Sequence, residues 1–132
     1  MPILYAHDYK LPAFVSKNTL VIGSSYSGNT EETLSTVKEA IEKGAYIIGV
    51  TSGGEMQEIC EKNGYDCVVV PGGNPPRTAL AFSLVQLLNI FSELEMISAD
   101  RLNEMETARQ LIVKDEVEIK AKAREIAQYL IG

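Results

Sequence analysis

The chain has 132 residues, of which 45% are hydrophobic, and its formal net charge is −6 at pH 7. This length predicts a single domain with a buried core. The negative charge argues against nucleic acid or an anionic membrane surface as a partner. No apolar stretch approaches the roughly 20 residues that cross a bilayer, and no basic-then-apolar leader opens the sequence. We therefore predict a cytoplasmic protein without a membrane partner.

Short apolar runs alternate along the chain with segments of helical periodicity. The runs predict strands, in chain order, at Ile3–Ala6, Thr19–Gly23, Tyr46–Thr51 and Cys67–Val70. The periodic segments predict helices from about Thr30 to Lys43 with Gly44 as the end cap, from the Ser52–Gly54 turn to near Gly64, and from about Pro76 to Met96. Strands that are apolar on both faces and separated by helices are typical of a parallel sheet. We predict an α/β fold with about four parallel strands covered by helices.

The later part of the chain changes character. The apolar helix predicted from Pro76 to Met96 has hydrophobic residues on nearly all sides, so we expect it to be buried against the sheet and a second surface. From Asp100 to Gly132 the sequence is charged and mostly helical, with a possible break at Lys114-Asp115. This arm has an apolar face that needs a partner, either the sheet or another subunit.

Cysteine and histidine are scarce. The two cysteines, Cys60 and Cys67, are too few for a disulfide framework and are expected to be buried thiols. His7 is the single histidine, which excludes a histidine-rich metal site. We expect neither a bound metal nor a cofactor.

The most informative stretch is SSYSGNTEETL, Ser24–Leu34, which lies where a buried strand turns into a helix. Five of its first seven residues, Ser24–Thr30, carry a hydroxyl group. The first N–H groups of a helix are unpaired and carry partial positive charge, so this arrangement favours a bound phosphate. We predict that the side chains of Ser25, Ser27 and Thr30 and the backbone N–H groups of Gly28 and Asn29 hold it.

A plain helix cap is the alternative for the same residues. Asn29 followed by Glu32 three residues later resembles a capping box. The predicted carboxyl ends of the strands bring two further loops, Thr51–Gly54 and Pro71–Arg77, to the same edge of the sheet. All three loops are rich in glycine, proline or hydroxyl residues, which favours one shared pocket over a simple helix cap.

The stretch SSYSGNTEETL resembles the signature loop of sugar isomerase (SIS) domains. Three further segments resemble the bifunctional phosphoglucose/phosphomannose isomerases of that family: HDYKLP at His7–Pro12, TSGGE at Thr51–Glu55 and PPRTALAF at Pro75–Phe82. The resemblance covers residues 1–97 as an incomplete SIS domain, and residues 98–132 resemble the linker to a second SIS domain. It implies a flavodoxin-like sandwich whose central opening strand is missing here. The edge left open would pair with Ile3–Ala6 in a new register or with a second copy.

The resemblance implies roles for particular residues. Ser25, Ser27 and Thr30 would bind the phosphate of a hexose phosphate, and Arg77 would face the substrate as a catalytic residue, stabilising an enediolate or gripping the phosphate. In the family the proton-transferring glutamate and histidine come from a second domain or subunit, and no position here matches them. Glu31 and Glu32 are weak substitutes because a helix N-terminus favours their ionised, poorly basic form, and His7 has no better claim.

Three interpretations follow for the function. The first is the phosphosugar-binding part of a glucose-6-phosphate/mannose-6-phosphate isomerase, weak or inactive alone and assembled as a homodimer or higher oligomer. The second is a stand-alone regulatory module that binds sugar phosphates. The third is an FMN-binding flavodoxin-like protein, because SYSGNTE also resembles a flavodoxin phosphate loop, although the chain has no tryptophan to flank a flavin.

Overall fold

A computed structural model of the chain describes residues 2–98 and 100–131. The described strands and helices, in chain order, are β1 Leu20–Ser25, α1 Glu31–Glu42, β2 Tyr46–Thr51, α2 Gly54–Asn63, β3 Asp66–Val69, a 3-10 turn Pro76–Thr78, α3 Leu80–Glu93, α4 Asp100–Lys114 and α5 Glu116–Ile131. Each helix end that the glycines predicted is present, since Gly44 follows α1 and Gly64 closes α2 in the left-handed conformation.

The three strands form a parallel sheet in the order β1-β2-β3. The register pairs Ser25 with Thr51 and Thr51 with Val69, so the strands end in one row. The loops that follow them therefore leave the sheet side by side. This arrangement confirms the predicted parallel α/β fold and the predicted edge on which the loops meet.

Helices α1 and α2 share one buried cluster. Its members come from both helices, from β2 and from the segments before β1 and β2: Val15, Leu34, Val37, Ala40, Ala45, Ile47, Met56 and Cys60. Gly23 and Gly49, paired across β1 and β2, lie beneath them. A Cβ on Gly23 would lie 2.7 Å from Val37, and one on Gly49 would lie 2.7 Å from the Cys60 sulfur. The absence of side chains there lets both helices pack directly on the sheet.

Two of the predicted elements are corrected by the structure. Ile3–Ala6 is not a strand, and Tyr5 in it is 87% exposed. In the described part of the chain no strand lies beside this segment to satisfy its backbone hydrogen bonds, so apolar residues alone do not make it a strand. The sheet in the described residues therefore has three strands, and not the four that were predicted.

The predicted helix from Pro76 to Met96 is a 3-10 turn followed by α3, Leu80–Glu93. The turn forms because Thr78 and Ala79 donate their N–H groups to carbonyls only three residues back. Burial on nearly all sides is also wrong for this helix, since Leu80 is 73% exposed. Composition showed that the helix is apolar but could not show whether a partner covers it.

The arm is helical, as predicted, and its break falls at Asp115 between α4 and α5. Most of its apolar residues are exposed, as Val117 at 82% illustrates, while Leu102 and Met105 are half-buried. Residues up to Leu87 form one compact unit and residues from Leu88 onward form another. The boundary between residues 97 and 98 stays a prediction. Among the helices described, none combines the length and the apolar character that crossing a membrane requires.

The two thiols are free, and Cys60 is buried as expected, while Cys67 is half-buried. Burial, with a smaller effect of neighbouring Cys67, raises the pKa of Cys60 from 9.0 to about 11. The folded protein therefore keeps this proton at pH values where the unfolded chain loses it. The resulting stabilisation is complete below pH 9.0 and is lost as the pH rises through about 11.

We expect the free energy of unfolding to fall between those two pH values with a slope of at most about 1.4 kcal/mol per pH unit from this group. Urea unfolding of the wild-type chain and of Cys60→Ala across this range measures it. The other titratable groups are common to both proteins, so the difference between the two slopes reports the Cys60 thiol together with its effect on Cys67. Parallel curves would contradict the prediction.

Candidate functional site

Three loops meet at the carboxyl edge of the sheet, all within the unit that ends at Leu87. The first loop, Tyr26–Thr30, joins β1 to α1, and the second, Ser52–Gly53, joins β2 to α2. The third loop, Val70–Pro75, joins β3 to the 3-10 turn. They are the loops that the sequence predicted to share a rim.

The N-terminal end of α1 is open. Thr30 is its N-cap residue, with φ −69° and ψ 116°, but the Thr30 side chain makes no cap hydrogen bond. The first helical bond runs from the Leu34 N–H to the Thr30 carbonyl at 2.9 Å. The N–H groups of Glu31, Glu32 and Thr33 precede that bond and have no acceptor within the helix. The Ser27 and Thr30 side chains beside them are exposed.

Ser25, the last residue of β1, holds the first loop in place. Its side chain is 4% exposed, and its Oγ lies 2.8 Å from Thr30 Oγ1. The same oxygen accepts the N–H groups of Gly28 at 3.1 Å and Thr30 at 3.4 Å. Ser27 Oγ accepts the Asn29 N–H at 3.2 Å. The predicted backbone donors of Gly28 and Asn29 are thus bonded to the side-chain oxygens of Ser25 and Ser27 in this conformation.

Gly28 and Asn29 also cap the N-terminus of the neighbouring helix, α2. The Gly28 carbonyl accepts the Met56 N–H at 3.0 Å, and Asn29 Oδ1 accepts the Glu55 N–H at 3.1 Å. Both donors belong to the first turn of α2. The capping-box alternative is therefore wrong, because Asn29 caps α2 from outside rather than α1. In the described structure, the first loop therefore supplies acceptors for N–H groups in the first turn of α2, whereas the N-cap side chain of α1 supplies none.

Tyr26 joins the three loops. Its carbonyl accepts the N–H of Ser52 at 2.9 Å and the hydroxyl of Ser52 at 2.6 Å. Its phenol hydroxyl donates to the Pro71 carbonyl at 2.9 Å and accepts the Asn74 N–H at 3.1 Å. Sequence reasoning counted Tyr26 only as one hydroxyl among five. Its partners lie more than 20 residues away, so no local pattern identifies them.

The remaining predicted residues lie apart from this loop network. Arg77 is exposed in the 3-10 turn, and within residues 2–98 and 100–131 no hydrogen bond or ion pair joins it to the first loop. His7 is exposed and stacks on Tyr5 with ring centroids 5.5 Å apart. The Tyr9 hydroxyl lies 3.5 Å from Glu31 Oε2. The first turn of α1 carries the acids Glu31 and Glu32. The charge of Glu32, followed by burial and the charge of Glu31, raises the pKa of Tyr9.

The sequence is similar to several curated enzymes. The bifunctional phosphoglucose/phosphomannose isomerase of Caldicellulosiruptor bescii is 50% identical over 97 residues, which are 74% of this chain and 29% of that enzyme. The enzyme of the same name from Aquifex aeolicus is 37% identical over 131 residues, 99% of this chain and 39% of its own length. The D-glucosamine-6-phosphate 4-epimerase of Sulfolobus acidocaldarius is 37% identical over 94 residues, 70% of this chain and 31% of the enzyme.

The chain thus spans well under half the length of these relatives. No protein-family model matches the sequence. The first loop, the parallel sheet and the similarity over nearly the whole chain agree with the resemblance found in the sequence. The chain belongs to the sugar isomerase (SIS) family, among relatives of the bifunctional phosphoglucose/phosphomannose isomerases.

Proposed function

We propose that the chain is a phosphosugar-binding part of a protein like the phosphoglucose/phosphomannose isomerases and that it binds hexose phosphates. One observation supports this proposal most: the N-terminus of α1 is open and carries two exposed hydroxyl side chains, whereas the first loop fills the N-terminus of α2. Unpaired N–H groups and hydroxyls together suit a phosphate dianion. The names of the relatives include sugar phosphates of this kind.

In the proposed site, Ser27 and Thr30 supply exposed hydroxyls, and the first turn of α1 supplies N–H groups and its dipole. Ser25 holds the loop through the two N–H groups that its oxygen accepts. Gly28 and Asn29 set the loop against α2. With a net charge of −6, the chain attracts a phosphate through these local donors and not through a long-range field.

Arg77 is proposed to meet the bound ligand as a catalytic residue. A guanidinium beside the sugar would stabilise an enediolate or grip the phosphate. Isomerisation also requires a base that moves a proton between two carbons. Glu31 and Glu32, the acids in the first turn of α1, do not match the glutamate that supplies this base in the family. We therefore propose binding without turnover for the isolated chain.

The proposal also covers how the chain is divided into parts and where in the cell the protein works. Residues 1–97 would form the SIS part and residues 98–132 a helical arm whose exposed apolar face, including Ile126 and Leu130, pairs with a second copy. The relatives are enzymes of sugar-phosphate metabolism by name, which favours a cytoplasmic location. The same names lend no support to the flavodoxin-like alternative.

Calorimetric titration of the 132-residue chain tests the proposal. We expect glucose 6-phosphate to bind, inorganic phosphate to bind more weakly, and glucose to show no detectable binding, because the phosphate supplies most of the interaction energy. Equal binding of glucose and glucose 6-phosphate would contradict it, and so would the failure of both phosphate ligands.

A coupled assay with glucose 6-phosphate and mannose 6-phosphate separates binding from catalysis. We expect no fructose 6-phosphate above the blank. Turnover by a homogeneous preparation would contradict the proposal that the base is supplied from elsewhere. Binding without turnover is shared with the regulatory alternative, which predicts in addition that the chain alters the activity of a partner enzyme.

A further inference from the structure

Tyr26 lies in the first loop, and its side chain forms hydrogen bonds with the third loop. Its phenol oxygen uses its one proton on the Pro71 carbonyl and accepts the Asn74 N–H, at 2.9 Å and 3.1 Å. Its carbonyl is occupied by Ser52. The phenol oxygen and the carbonyl of Tyr26 are thus engaged with the protein, so this residue is arranged to connect loops rather than to contact a ligand.

The segment between Asn74 and Arg77 is stiff. It consists of Pro75 and Pro76, whose rings fix φ near −65°. The Pro75 carbonyl accepts both the N–H of Thr78 at 2.9 Å and its hydroxyl at 2.8 Å. A chain restrained in this way transmits the position of the Asn74 backbone to Arg77 two residues beyond the first proline.

The two observations together give Tyr26 a role. We propose that Tyr26 is a positioning residue, which fastens the third loop to the first so that Arg77 is presented to a sugar phosphate bound at the start of α1. The inference rests on the proposed function for its ligand. The contact between Tyr26 and the third loop involves only residues of this chain, so it can be measured without a ligand. The hydroxyl, and not the ring, is the essential part.

Tyr26→Phe removes the hydroxyl and keeps the ring. We expect glucose 6-phosphate to bind about 3- to 10-fold more weakly, because Arg77 is then held less firmly where the ligand binds. Hydrogen exchange of the Asn74 amide, followed by NMR, should become faster because that N–H loses its acceptor. Tyr46→Phe is the matched control, since Tyr46 is 69% exposed and lies at the opposite end of β2. It should change neither quantity.

A double-mutant cycle distinguishes positioning of Arg77 from a general structural effect. Arg77→Gln should weaken glucose 6-phosphate binding, and adding Tyr26→Phe to it should cause no further loss. Losses that multiply in the double variant would overturn the inference, because Tyr26 would then act independently of Arg77.

The failure of this inference and the failure of the proposed function have different signatures. If the unmodified chain does not bind glucose 6-phosphate, its own titration rejects the proposed function. If exchange of the Asn74 amide is unchanged in Tyr26→Phe, the fastening is overturned whatever the chain binds. Faster exchange together with a binding loss that disappears in the Arg77→Gln background is the expected result.

Discussion

Gly28→Ala is expected to destabilise the protein by about 3 kcal/mol or more, the range in which backbone strain and a lost loop contact combine. Gly28 has φ +70°, and a Cβ built on it would lie 1.8 Å from the Gly53 carbonyl oxygen. No rotamer relieves a collision between Cβ and backbone. The first and second loops must therefore separate, which breaks the bonds that Gly28 and Asn29 make to the start of α2.

Gly64→Ala is the matched control for this variant. Gly64 has the same φ of +70° at the end of α2, but its missing Cβ would meet nothing within 4 Å. This substitution incurs only the left-handed backbone penalty, about 1–2 kcal/mol. Urea unfolding of both variants measures the difference. Equal losses of stability would show that φ alone matters and that the two loops do not touch as described.

Replacing Ser27 and Thr30 together by alanine is expected to weaken glucose 6-phosphate binding by about 100-fold or more, since a hydrogen bond to a charged group contributes about 1.5–3 kcal/mol. Both side chains are exposed, so the loss comes from the ligand and not from the core. Thr30 Oγ1 also lies 2.8 Å from Ser25 Oγ, and Thr30→Ser preserves this contact. Thr30→Ser should therefore keep most of the affinity.

Ser24→Ala is the control for the double variant. Ser24 is an exposed serine on β1, directly before the buried Ser25, and the proposal gives it no ligand contact. It should bind glucose 6-phosphate as the wild type does. Calorimetry of the three variants at one ionic strength compares them. Unchanged affinity in the double alanine variant would contradict the proposal that the phosphate binds at the start of α1.

Features with a local cause could be predicted from the sequence. The helical period from Leu34 to Ile41 and the glycine after it locate α1, and the apolar run at Tyr46–Thr51 locates β2. The break at Asp115 is a local feature of the same kind. The predicted meeting of three loops also held, because a parallel sheet places the ends of its strands at one edge.

Features that depend on distant partners could not be predicted. Ile3–Ala6 has the composition of a strand and is none, and the apolar Leu80 is exposed, because a partner surface decides both outcomes. Asn29 matches a local cap for α1 yet caps α2, since the loop that carries it lies against the N-terminus of the other helix. The residue pattern is identical in either case.

The sequence by itself determined which segments become strands and helices within the α/β unit and which loop carries the hydroxyl groups. Only the tertiary structure decided that the start of α1 stays open while that of α2 is filled, and that Tyr26 reaches residues 45 and 48 positions further along the chain. The physical reason is range. Periodicity and capping act over one or two turns, whereas hydrogen bonds between loops depend on how the sheet brings distant segments together.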